Sequence, residues 1–107
     1  MEPLTIGAAA RHTGWSPRML RYLEQSGLVE PQRSASGYRR YGLIELNRLR
    51  SLRELLGRFG VEIGDVAFAA RLRRDAALRV AVDSWLAGLE LEALEWEQAK
   101  HERLLVA

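Results

Sequence analysis

The sequence predicts a mainly α fold: two short helices, a small β-hairpin, two further helices and one long terminal helix. Three observations carry this reading. Ser16-Pro17 opens a stretch whose apolar and basic residues recur at helical spacing. Ser34-Ala35-Ser36-Gly37 is a cluster of turn-forming residues between two short extended runs. Residues 76–104 contain no proline and a single glycine, Gly88, so one long helix is expected there.

Each element has its own local cause. Thr5 is placed to cap a first helix over Ile6 to His12, in which Ala8, Ala9 and Ala10 are strong helix formers. Thr13-Gly14 turns the chain, and Trp15 is expected to pack between helices. Ser16 caps the second helix, with Pro17 at the first position, where its missing N–H costs nothing. Arg18, Arg21, Tyr22 and Gln25 fall at i, i+3, i+4 and i+7 and share one face, while Met19, Leu20 and Leu23 supply the buried one. Ser26-Gly27 ends the helix, with Gly27 suited to the left-handed position. Two short helices joined by a glycine-containing turn form a helix-turn-helix.

Leu28 to Pro31 is expected to leave in an extended conformation, and Tyr38-Arg39-Arg40-Tyr41 to return as a second short strand. A two-stranded hairpin is marginal alone, so it must lean on the helices as a wing does. Leu43 to about Leu56 is helical by pattern, with Leu46, Leu49, Leu52, Leu56 and Phe59 as core; Gly57 and Gly60 are expected to bracket a bend. Arg48, Arg50 and Arg53 belong at the surface. Ile63, Val66, Ala67 and Ala70 mark a fourth helix to about Leu72. On the long helix, Leu78, Val82, Trp85, Leu86, Leu89, Ala93 and Trp96 form one stripe, and Glu90, Glu92, Glu95 and Glu97 crowd its later turns. Such a stripe on so small a protein calls for a partner, and an antiparallel pair of copies is the expectation; a tryptophan-lined ligand pocket is the alternative. The fold class is thus a winged helix-turn-helix over residues 1–74 followed by a dimerisation helix over 75–107.

Charge divides along the same line. Residues 1–60 hold ten Arg and five Asp/Glu, whereas 61–107 hold six Arg/Lys and nine Asp/Glu, so a net of +5 precedes a net of −3. A basic first half suggests a polyanionic partner and an acidic second half a separate task. The chain has no cysteine, which excludes disulfides and thiolate metal sites and fits a reducing compartment. No apolar run is long enough to span a membrane and no secretory signal pattern opens the chain, so a soluble cytoplasmic protein is expected. With two histidines far apart, no glycine-rich phosphate loop and no triad, neither enzyme activity nor a cofactor or metal is expected.

Thr5-Ile6-Gly7, Thr13-Gly14-Trp15-Ser16, Arg18-Met19-Leu20-Arg21-Tyr22, Gly27-Leu28 and Ser36-Gly37-Tyr38-Arg39-Arg40-Tyr41 together resemble the N-terminal winged-helix domain of the MerR family of bacterial transcription regulators. The resemblance covers about residues 4–72, in the family's order and nearly its spacing. Met19 stands where a threonine is usual, and Leu23 where a second tyrosine is common. The resemblance implies a homodimer on an imperfect inverted repeat, with the second helix in the major groove and the wing on the flanking backbone. It implies promoter distortion that lets RNA polymerase engage, or repression. Neither the cysteines of metal-sensing members nor a large effector domain is expected.

Arginine suits both tasks at a duplex, forking guanine O6/N7 or phosphate oxygens. Arg18, near the helix N-terminus, is the base-reading candidate. Arg21 and Tyr22, one turn on, and Arg39 in the wing are expected on phosphates; Ser16, Arg40 and Tyr41 are further DNA-binding candidates, with packing under the wing as the equal alternative for Tyr41. Arg40 should face away from Arg39 in a regular hairpin. The dimerisation candidates are Leu78, Val82, Trp85, Leu89 and Trp96. Arg71, Arg73 and Arg74 read as solvated surface or distal phosphate contacts, with an anionic small molecule as the alternative. Two other functions compete: an architectural, excisionase-like protein that bends DNA in side-by-side arrays, and an interaction module whose acidic helix docks polymerase or a sigma factor.

Overall fold

The computed structural model describes residues 2–106. Helix α1 (Ile6–Thr13) and helix α2 (Pro17–Gln25) are followed by strands β1 (Gln32–Arg33) and β2 (Arg39–Arg40), then helices α3 (Leu43–Phe59), α4 (Ile63–Arg74) and α5 (Ala76–Val106). The chain divides into two compact units between Ala70 and Arg71.

The first unit is built on local rules that the sequence displays. Thr5 Oγ1 accepts from the Ala8 N–H at 3.2 Å and Ser16 Oγ from the Met19 N–H at 3.1 Å, so both short helices carry the hydroxyl caps expected of them. Gly14 and Gly27 both adopt positive φ, at 80° and 74°. At the end of α2 the Leu28 N–H donates to the Leu23 carbonyl and the Gly27 N–H to the Glu24 carbonyl, a complete Schellman motif. Gly14 is confined for a second reason: a Cβ there would lie 1.8 Å from Arg53 Nη1, which donates to the Thr13 carbonyl at 2.8 Å. Arg53 thereby satisfies one of the free carbonyls at the end of α1. Arg48 Nε donates to the Leu28 carbonyl at 2.9 Å, in the segment that follows α2.

The core consists of Ala9, Leu20, Leu23, Val29, Tyr41, Leu46 and Leu49, with Leu4, Ile6, Trp15, Leu28, Leu52 and Ile63 packed around it. Trp15 packs between helices as its place in the turn predicts, and its indole N–H donates to the Leu49 carbonyl at 2.9 Å. Leu23 is fully buried, so it serves the core rather than the outer face of α2.

Several expectations need correction. The first strand lies after Pro31 rather than over Leu28 to Pro31, and each strand is only two residues long. The register pairs Gln32 with Arg40 and Arg33 with Arg39. Tyr41 leaves the hairpin to pair with Leu4, each N–H donating to the other's carbonyl, at 2.8 and 2.7 Å. This third segment ties the wing to the N-terminus. Helix α3 runs through Gly57 to Phe59 and ends at Gly60, whose φ is 62°, so only Gly60 makes the bend. Phe59 is 63% exposed rather than core, because it lies in the last turn beyond the reach of the buried face.

Tyr41 is the largest correction. Its side chain is 0% exposed, and the hydroxyl has no partner among the described residues. A group so placed fills space; it does not meet phosphate. Burial pushes the phenol's pKa up, with the charge of Glu24 adding to it, so the hydroxyl stays neutral. Since the ring does the work, Tyr41→Phe should unfold at the same temperature as the parent or higher, whereas Tyr41→Ala should lose about 3–5 kcal/mol in denaturant melts. A large loss in Tyr41→Phe would show instead that the hydroxyl is essential.

In the second unit α5 is a single continuous helix, with Asp75 Oδ1 accepting from the Leu78 N–H at 3.0 Å at its start. Several of its apolar residues stand in the open: Trp85 is 66% and Trp96 62% exposed, with Leu86, Leu89, Leu91 and Leu94 also exposed. Leu78 and Val82 are half-buried. No helix among the described residues is long and apolar enough to cross a membrane.

Candidate nucleic-acid interface

The outer face of α2 is presented as its periodicity requires. Leu20 and Leu23 anchor the opposite face in the core, leaving Arg18, Arg21, Tyr22 and Gln25 exposed together. Ser16 Oγ is engaged as the cap of α2, so its hydroxyl proton alone remains to be donated outward.

Beside this face lies an open cleft of about 440 Å³ bordered by Thr5, Ile6, Arg21, Arg33, Tyr38, Arg39 and Arg40. Four arginines, one from α2 and three from the two strands, border it. Arg39 and Arg40 both border it, and Arg40 also borders a second cleft with Glu2 and Pro3. Tyr38 is largely exposed beside them. The hairpin turn is held by the Gly37 N–H donating to the Ser34 carbonyl and the Tyr38 N–H to Ser34 Oγ.

Glu24 and Arg33 are the residues that sequence reasoning missed. The Arg33 Nη2 donates to Glu24 Oε1 and the Arg39 Nε to Glu24 Oε2, each at 2.6 Å. One carboxylate on α2 therefore holds an arginine from each strand of the wing. Arg33 and Arg39 stand directly opposite in the register, an arrangement that is repulsive without a counter-ion between them. That repulsion was the available signal: arginines six positions apart that flank a tight turn favour a nearby carboxylate. Burial alone would raise the Glu24 pKa, but the hydrogen bond and charge of Arg39, together with those of Arg33, outweigh it and hold the carboxyl below its ordinary value.

The two tryptophans of α5 do not line one pocket. Trp96 shares a shallow cleft with Glu97, Lys100, His101 and Leu104, and Trp85 is not part of it. No group of three His, Asp or Glu residues is placed to hold a metal among the described residues.

A carboxyl whose folded pKa is depressed stabilises the fold above its unfolded pKa, and that contribution is lost as pH falls through the folded value. The gap in melting temperature between the parent and Glu24→Gln should thus be widest near neutrality and close progressively below the ordinary carboxylate range. Thermal melts across pH test this; a gap independent of pH would mean that the Glu24 charge does not hold the wing.

Comparison with known proteins agrees with this geometry. Residues 4–71 match the family model described as MerR HTH family regulatory protein. The chain is 37% identical over 54 residues to the HTH-type transcriptional regulator HmrR of Rhizobium leguminosarum bv. viciae; the match spans 50% of this chain and 42% of that protein, less than half its length. Among solved structures, a MerR family transcriptional regulator from Listeria monocytogenes superposes with a TM-score of 0.54 at 26% identity, covering 94% of this chain and 77% of that one. HiNmlR, a MerR family regulator lacking the sensor domain and bound to promoter DNA, superposes with a TM-score of 0.55 at 25% identity, covering 94% of this chain and 91% of that one. The capped helix, its basic outer face and the arginine-rich wing all lie inside the matched region, and the chain belongs to the MerR family of helix-turn-helix regulatory proteins.

Proposed function

We propose that this chain is a cytoplasmic, sequence-specific DNA-binding transcription regulator that binds an inverted-repeat promoter site as a homodimer and distorts it. In this reading residues 1–74 form the DNA-binding segment and 75–107 the dimerisation segment. The observation that carries the proposal is the continuity of two basic surfaces: the exposed Arg18, Arg21, Tyr22 face of α2 and the cleft bordered by Arg21, Arg33, Arg39 and Arg40. Such a surface fits a groove and its flanking phosphates. Its likeness to HiNmlR, whose solved structure holds promoter DNA, supports the same reading.

Arg18 reads a base edge from the N-terminal turn of α2. Arg21, Tyr22, Arg39 and Arg40 meet phosphates, and Tyr41 supports them from the core. The exposed Trp85, Leu89 and Trp96 form the apolar seam between two copies of α5 in antiparallel pairing, with Leu78 and Val82 at its start. RNA polymerase engages the distorted promoter.

Arg18→Ala should relax base preference at one position in each half-site at a cost of about 1–3 kcal/mol, read by competition binding with single-base operator variants. A loss equal on all sequences would place Arg18 on phosphate. For the seam, Trp85→Glu with Leu89→Glu should yield a monomer in sedimentation that retains its helix content but binds an inverted repeat far more weakly than the parent. Dimerisation unchanged by both substitutions would place the interface elsewhere.

A further inference from the structure

The cleft beneath the wing contains more order than four independent arginines would need. Arg33 commits both terminal nitrogens within the protein, Nη2 to Glu24 Oε1 at 2.6 Å and Nη1 to the Gly37 carbonyl at 3.0 Å. It therefore connects Glu24 to the wing turn. Arg39 is held differently. Its Nε donates to Glu24 Oε2 at 2.6 Å, and neither Nη1 nor Nη2 has a protein acceptor among the described residues. A guanidinium is planar and rigid, so a hydrogen bond that fixes Nε also fixes the direction of the terminal edge. That edge belongs to a half-buried residue that borders the cleft with Arg21 and Arg40.

We propose that Glu24 and Arg33 are positioning residues for DNA binding: Glu24 holds Arg39 so that its two terminal N–H groups fork a backbone phosphate seated in the cleft, and Arg33 ties Glu24 to the wing turn. The inference rests on the DNA-binding reading above and adds to it a role for an acidic residue at a polyanion site. A carboxylate facing phosphate would oppose binding if it acted only through its charge. Here it is covered by two guanidiniums, so the net charge of the trio stays positive while one edge of Arg39 is set in advance. Preorganisation of this kind removes the entropy cost of ordering a long side chain when the ligand arrives.

The experiment is a double-mutant cycle on the full chain. Affinity for a random-sequence duplex is measured over a salt series for the parent, Glu24→Ala, Arg39→Ala and the double variant. Each lost phosphate contact should lower the slope of log K against log salt by about one. The expected result is that Arg39→Ala and Glu24→Ala each lower the slope by about that amount, and that the double variant is no weaker than Arg39→Ala alone. Glu24→Gln, which keeps the side-chain shape and guards against a misfolded Glu24→Ala, should lie between Glu24→Ala and the parent. Tighter binding with a steeper slope in Glu24→Ala would overturn the proposal, because the carboxylate would then simply oppose DNA. Lower melting temperature with an unchanged slope would also overturn it, since Glu24 would then only brace the fold. Additive losses would do the same by separating Glu24 from Arg39. If the parent itself shows no salt-dependent duplex binding, the DNA-binding reading fails and this inference with it; binding by the parent with any of the contrary variant results sinks the inference alone.

Discussion

Two arginines directly opposite each other on strands of two residues need a counter-ion to offset their repulsion, and Glu24 supplies it from the neighbouring helix. Much else in the first unit follows from that requirement. The hairpin is too short to be stable by its own ladder, so it is fastened at both ends: by Glu24 on the side of α2, and by the pairing of Tyr41 with Leu4 on the side of the N-terminus. The residue that carries the counter-charge lies on the same helix as Arg18, Arg21 and Tyr22. Position of the wing and position of the basic helix face are therefore set by one element.

The apolar core completes this coupling. Leu20 and Leu23 hold α2 from beneath, and Tyr41 fills the space under the wing with a fully buried ring. Arg53 and Arg48, placed on α3, donate to backbone carbonyls, Arg53 to Thr13 at the end of α1 and Arg48 to Leu28 in the segment after α2. Among the arginines of the first unit, some are exposed on α2, some are paired within the wing, and others donate to backbone carbonyls from α3. A count of basic residues cannot separate them. Their hydrogen-bond partners can.

Most of the fold was legible because its causes are local. Thr5, Ser16 and Pro17 announce helix starts, Gly14, Gly27 and Gly60 announce helix ends, and the absence of proline after Asp75 announces α5. What was not legible depends on pairing between distant residues. The Leu4–Tyr41 bridge joins segments 37 positions apart in the chain, and nothing in either segment reveals it. Tyr41 sits in a run of basic and aromatic residues that left surface and packing as alternatives, and its ring is fully buried. The Glu24 clamp required knowing that Arg33 and Arg39 face each other, which follows only once the turn at Ser34–Gly37 and the late start of β1 are fixed. For α5 the apolar stripe was plain in the sequence, and its exposure in a single copy is what a helix made for a partner displays.

In the proposed function a pair of these chains reads a symmetric DNA site through α2 and the wing. Selection of bound sequences from a random duplex pool by the purified chain, with no ligand or partner added, tests it most directly. An enriched inverted repeat, with half-sites spaced for two copies of α2 on one face of the duplex, is the predicted result. Enrichment of single or directly repeated half-sites, or no enrichment at all, would contradict it.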